Sequence, residues 1–131
     1  MTTFIDTSAL YAVLCGNDPN HEDAQRKWIT LLDQDEPLVS TNYVLVETIK
    51  LIQHRLGMRA VRDFQDDAVP LLQIIWVDDA QHQAAVTAFL MMGRRQLSLV
   101  DCSSFLTMRN LDIRTAFAYD PHFVEQDFVC L

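Results

Sequence analysis

Short apolar runs alternate along this chain with longer segments whose apolar positions recur every three or four residues, the pattern of strands alternating with amphipathic helices. Five runs predict strands, Thr2–Ile5, Leu38–Ser40, Gln73–Val77, Thr115–Ala118 and Phe128–Cys130. Each is short, rich in β-branched or aromatic residues, and bounded by polar or turn residues. Helical periodicity fills the gaps at Ser8–Cys15, His21–Leu32, Asn42–Leu56, Met58–Val69, Ala80–Arg94 and Leu99–Asn110. In the segment from His21, Ala24, Trp28, Ile29, Leu31 and Leu32 oppose Glu22, Asp23, Gln25, Arg26 and Lys27, which predicts a helix with one face against the core. Gly57 and Gly93 stand where helices should stop, and Pro37 and Pro70 just ahead of predicted strands. Strands alternating with helices imply an α/β fold, here three layers around a central, mostly parallel sheet of about five strands.

The chain has 131 residues, of which 50% are hydrophobic and 21% charged, so a single domain over residues 1–131 is expected and disorder or a coiled coil is not. Three cysteines, Cys15, Cys102 and Cys130, are odd in number and set in apolar sequence, as buried thiols in a reducing cytosol are. The N-terminus lacks a basic leader and carries Asp6 in its first apolar run, and no window approaches the roughly 20 apolar residues of a membrane span. A soluble, cytoplasmic protein without a membrane segment is the expectation. The formal net charge of −8 gives no broad basic footprint for nucleic acid.

Most acids lie in loops or on polar helix faces, but Asp6, Glu47, Asp101 and Asp120 sit within or against apolar sequence, where an ionised carboxylate is costly unless something pairs with it. Each has a local structural role open to it. Asp6 follows a strand and precedes a helix, the position of an N-cap. Glu47 lies too deep in its helix for a capping box and could pair with Lys50 instead. Asp101 completes a capping box with Ser98, and Asp120-Pro121 suits a turn or helix start. Their joint placement points further. Asp6 and Asp120 follow predicted strands, while Glu47 and Asp101 open helices at the same carboxyl edge of a parallel sheet, where ligands bind in open α/β folds. Four carboxylates converging there would raise one another's pKa, so a divalent cation is the natural compensation, and oxygen ligands select Mg²⁺ or Mn²⁺.

In order along the chain, Phe4-Ile-Asp6-Thr7-Ser8-Ala9-Leu10, Asn42 with Glu47, Leu99-Val-Asp101-Cys102 and Ala118-Tyr-Asp120-Pro-His-Phe123 resemble the motifs of PIN-domain ribonucleases, especially bacterial VapC-type toxins. The resemblance covers nearly the whole chain and implies a PIN-like fold. It implies that Asp6, Glu47, Asp101 and Asp120 hold one or two Mg²⁺ or Mn²⁺ ions, with Thr7 and Ser8 positioning a water or phosphate oxygen and Asn42 supporting the site. The implied reaction is hydrolysis of an RNA phosphodiester by a metal-activated water, leaving a 5′-phosphate. It further implies a cognate antitoxin that blocks the site and a homodimer. One departure stands out: many relatives carry Thr or Ser two residues before the last acid, where this chain has Ala118, which weakens the expected support of Asp120.

Two other readings remain open at this level. Asp6 after the first strand could be an aspartyl-phosphate nucleophile of a phosphohydrolase, although such enzymes place a second Asp where Ser8 stands. A catalytically silent PIN-like interaction module is the other, with Ala118 as its hint. His21, His54, His82 and His122 form no zinc-type spacing, and no P-loop, G-x-S-x-G or G-x-G-x-x-G is present. Lys50, Arg94 and Arg95 are the candidate RNA contacts. With the four site acids set aside, 14 acids face 10 basic residues, so contact with RNA would run through metal and local cations rather than a basic surface.

Overall fold

The computed structural model describes residues 1–131. Five strands form the centre: β1 (Thr3–Ile5), β2 (Leu38–Thr41), β3 (Gln73–Ile75), β4 (Thr115–Phe117) and β5 (Val129–Cys130). Every pairing is parallel and the order is β3-β2-β1-β4-β5, so the sheet is wholly rather than mostly parallel. All residues of β1, β2 and β4 are buried, which requires helices on both faces. Seven helices supply that cover: α1 (Thr7–Leu14), α2 (His21–Asp33), α3 (Asn42–Leu56), α4 (Met58–Asp63), α5 (Asp79–Met92), α6 (Leu99–Asn110) and α7 (His122–Glu125). The resulting α/β/α arrangement is the one expected from the alternation of elements.

From β1 the chain steps outward to β2 and β3, then returns to β4 on the other side of β1. Strand order therefore reverses between β1 and β4, and the carboxyl ends of those two strands flank the crevice where ligands of such sheets bind. Ser40 Oγ donates to the Ile5 carbonyl at 2.8 Å, tying β2 to β1 at that edge.

Local chemistry sets the element ends. Thr41 caps α3 by accepting the Val44 N–H at 3.2 Å. Gly93 adopts φ 58° and ends α5 with its N–H on the Phe89 carbonyl, a left-handed cap that glycine makes without steric cost. The predicted helix Met58–Val69 is interrupted. It is α-helical to Asp63, loosens into a π turn over Phe64–Ala68, and tightens into a 3-10 turn over Val69–Leu71. Pro70 is the reason: it has no N–H and its ring clashes with the carbonyl four residues back, so an α-helix must be released before it. β3 stops at Ile75 rather than Val77 because the Val77 N–H donates to Asn42 Oδ1 at 2.7 Å instead of to a strand.

Helix α7 had no periodic signal, being four residues long. It is held by packing: Phe123, fully buried, meets Phe105 edge-on at 5.0 Å and lies 6.3 Å from Phe4. This aromatic cluster joins α6, α7 and β1, and thereby fixes the segment that carries Asp120 and His122.

Candidate active site

Parallel pairing carries β1 one residue past its ladder, where the Asp6 N–H donates to the Phe117 carbonyl at 3.1 Å and the side chain turns to cap α1. Asp6 Oδ2 accepts the Ser8 N–H at 3.1 Å and the Ser8 hydroxyl at 2.6 Å. That hydroxyl also accepts the Tyr119 N–H at 2.9 Å, so Ser8 links the ends of β1 and β4. The capping role is real, yet it leaves Asp6 buried with no cationic partner. Burial pushes its carboxyl up to about 7; the Ser8 hydrogen bonds oppose the rise, and the charges of Asp101 and Glu47 add to it.

Glu47 stands on α3 without the Lys50 ion pair that helical spacing allowed; Lys50 is exposed. Desolvation raises the Glu47 pKa, partly offset by the nearby Thr7 hydroxyl and reinforced by Asp101 and Asp120. Thr7 Oγ1 lies 3.0 Å from the hydroxyl of buried Thr48. Thr48 thus holds the Thr7 side chain from α3, a contact the sequence did not announce, since a threonine inside a helix carries no chemical signal of its own.

Asp101 forms the expected capping box, accepting the Ser98 N–H on Oδ2 at 3.1 Å while Ser98 Oγ accepts the Asp101 N–H at 3.0 Å. Its pKa is raised chiefly by burial, with Ser98 opposing and the Asp120 charge adding. Asp120 Oδ1 accepts the His122 N–H at 2.9 Å, an Asx turn into α7. The backbone beside it is held from α2: the Tyr119 hydroxyl donates to Asp23 at 2.7 Å, and Lys27 pairs with Asp23 at 2.8 Å while lying 5.3 Å over the Tyr119 ring. Lys27 holds the Asp23 carboxyl down at about 2. With Ala118 offering no hydroxyl, Tyr119 and Ser8 anchor this end of β4.

The structure also brings in His122, a residue without a role in the motifs. His122 Nδ1 lies 2.9 Å from Asp120 Oδ1 and 3.6 Å from Asp101 Oδ2, yet it is buried and hydrogen-bonds to neither. Ligand atoms of Asp101, Asp120 and His122 all lie within 4.8 Å of one another. The Asp120-Pro-His122 sequence, placing an imidazole two residues from the last acid, was the available signal. Beside the carboxylate oxygens expected there, an imidazole nitrogen is thus within reach of any ion that Asp101 and Asp120 could hold. The two buried acids, the half-buried Glu47 and Asp120 and this orphaned imidazole nitrogen lie together with no lysine or arginine among them, an arrangement that fits a divalent cation.

The remaining expected site residues make the following contacts. Asn42 uses its side-chain carbonyl to hold Val77. Arg94 pairs with Glu125 of α7 at 3.0 Å, whereas Arg95 is exposed and unpaired.

Ser8→Ala tests the link between the strand ends. It removes one charge-assisted bond to Asp6 and leaves the Tyr119 N–H without its acceptor, so urea unfolding should show a loss of roughly 2 kcal/mol. An unfolding midpoint equal to that of the parent would show that Ser8 does not tie the two strands.

Residues 3–129 match the PIN domain family. The chain is 33% identical over 130 residues to the 23S rRNA-specific endonuclease VapC20 of Mycobacterium tuberculosis (strain CDC 1551 / Oshkosh), covering 96% of this chain and 95% of that protein. Its structure matches the crystal structure of Mycobacterium tuberculosis VapC20, a sarcin-ricin loop cleaving toxin, with a TM-score of 0.85 and 27% identity over 98% of this chain and 97% of that one. VapBC2 from Rickettsia felis, bound to a DNA fragment from their promoter, shares the fold with a TM-score of 0.71 at 12% identity, over 100% of this chain and 98% of that one.

Proposed function

The chain belongs to the PIN domain family, and from that premise we propose that it is a metal-dependent endoribonuclease, the toxin of a toxin–antitoxin pair, that hydrolyses RNA phosphodiester bonds. The observation that carries this reading is the grouping of Asp6, Glu47, Asp101 and Asp120 at the strand-order reversal, where burial and then neighbouring carboxylates raise the proton affinities of Asp6, Glu47 and Asp101 and no lysine or arginine neutralises them. One or two Mg²⁺ or Mn²⁺ ions fit there, with His122 as a further donor. Bound there, such an ion supplies neutralisation of phosphate charge and acidification of water. Asp6 and Asp101, locked by Ser8 and Ser98, are the rigid ligands, and Asp120 completes the set from the Asx turn. Glu47, half-buried and with raised proton affinity, is placed to accept a proton from the attacking water, and Thr7 orients it.

The resemblance to VapC20 makes large-subunit ribosomal RNA the first substrate to test. A protein that cuts its own cell's RNA requires an inhibitor, and the acidic site suits a cationic segment of an antitoxin. A homodimer would cover Leu90 and Met91, which are 70% and 82% exposed on α5.

Incubation of large-subunit ribosomal RNA and a mixed RNA pool with the protein and Mg²⁺ or Mn²⁺ should yield defined fragments with 5′-phosphate ends, and chelator should abolish them. Undiminished cleavage in chelator would overturn the metal-dependent reading. Of the neighbouring pair Arg94 and Arg95, Arg94 is taken by Glu125 and Arg95 is free to meet phosphate. Arg95→Glu should weaken RNA binding and flatten the dependence of log affinity on log salt by about 0.7 per lost single-strand phosphate contact. An unchanged slope and rate would remove Arg95 from the RNA path.

A further inference from the structure

Trp76 is 70% exposed, while every other tryptophan, tyrosine and phenylalanine of the chain is buried or half-buried. Leaving so large an apolar ring in water is unfavourable, and its place in the fold suggests a use. The register pairs Thr41 with Ile75 across β2 and β3 and Phe4 with Val39 across β1 and β2. Continued by two residues, β1 sets Asp6 level with Thr41 and Ile75. Trp76 follows directly on the end of β3, on the same carboxyl edge as the acids and two strand spacings, about 10 Å, from Asp6.

The segment bearing it is held from both sides. Val77 is fixed to Asn42 Oδ1 at 2.7 Å. Asp78 closes a capping box with Gln81, at 2.9 and 3.1 Å. One turn into α5, His82 meets the hydroxyl of Tyr43 on α3. The ring thus sits on a backbone already ordered, beside the helix that carries Glu47.

We propose that Trp76 is a stacking platform for an unpaired base of the RNA strand whose backbone is cut at the acid site. This rests on the nuclease reading and adds to it how the strand is seated. Because the chain has no broad basic surface, a π-face beside the acids supplies affinity that phosphate contacts do not. Stacking tolerates any base, since each has a π-face, so Trp76 sets where the strand lies rather than which base is chosen.

The test uses Trp76→Ala and Trp76→Phe for cleavage, and a Trp28→Phe/Asp6→Asn protein, with Trp76 as its one tryptophan, for fluorescence titration with a hairpin of the cleaved RNA. Binding should quench Trp76. Trp76→Ala should raise KM about tenfold or more with a smaller change in kcat, and Trp76→Phe should recover most of the loss. An abasic nucleotide moved through the RNA should, at one position, cost the parent protein the same factor and cost Trp76→Ala nothing further. Unchanged KM in Trp76→Ala, with the parent active, overturns the platform and leaves the nuclease reading standing. Quenching without cleavage by the parent supports the platform and overturns the nuclease reading. Neither quenching nor cleavage overturns both. Loss of binding to a protein partner with RNA KM intact assigns Trp76 to that partner and overturns the platform.

Discussion

Replacing Asp6 or Asp101 by Asn should abolish RNA cleavage, by about a thousandfold or more, while leaving the fold intact. On the proposed function the loss follows from removing one anionic ligand from a site whose divalent ion would contribute several kcal/mol at the reacting phosphate, each 1.36 kcal/mol being tenfold in rate. The fold survives because the structural work of both residues is done by a single oxygen acceptor. Asn at position 6 can still accept from the Ser8 N–H and hydroxyl, and Asn at 101 can still accept from the Ser98 N–H, both being good capping chemistry. In chelator neither variant should be less stable than the parent at neutral pH, since each removes a buried negative charge from among others. Initial cleavage rates together with thermal unfolding in chelator check both halves. Persistent cleavage by two folded variants would sink the assignment of these carboxylates.

The second large effect is an inverted dependence of stability on pH. Asp6 titrates near 3.8 when unfolded and about 7 when folded, so the folded state binds the proton more tightly. Its contribution to stability is fully present below about 3.8 and is lost as pH rises through about 7. Glu47 and Asp101 are shifted in the same direction. Asp23 runs the other way but loses its contribution only as pH falls through about 2, outside this window. With chelator present, the melting temperature should therefore fall from pH 5 to pH 8. The Asp6 shift alone corresponds to at most about 4 kcal/mol, or on the order of 10 °C for a chain of this size. Millimolar Mn²⁺ or Mg²⁺, by binding the ionised cluster as proposed, should restore most of the loss at pH 8 while doing little at pH 5. Asp6→Asn should flatten the chelated profile. A melting temperature that is level or rises across this range in chelator would contradict the burial of an unpaired acid cluster.

These two results separate structural from chemical roles in the same side chains. Asp6 caps a helix and Asp101 closes a capping box, and each leaves a second carboxylate oxygen outside those helix-capping bonds. Capping fixes the rotamer, which is what a metal ligand needs, so the local role prepares the chemical one.

The sequence by itself determined the alternation of strands and helices, because side-chain periodicity follows directly from local backbone geometry. It also placed Asp6 and Asp120 after strands and Glu47 and Asp101 near helix starts, since those positions are read one element at a time. The tertiary structure alone decided that β1 lies between β2 and β4, which turns four acids spread along the chain into one cluster. It decided that Glu47 faces that cluster rather than Lys50, that Asn42 holds Val77, and that Arg94 is taken by Glu125. It brought His122 to Asp101, and Tyr119 to Asp23 across 96 residues. It left Trp76 in solvent at the same edge as the acids. Periodicity reports which face of an element is apolar; which faces meet, and in what register, depends on contacts between residues far apart in the chain, and no local pattern encodes them.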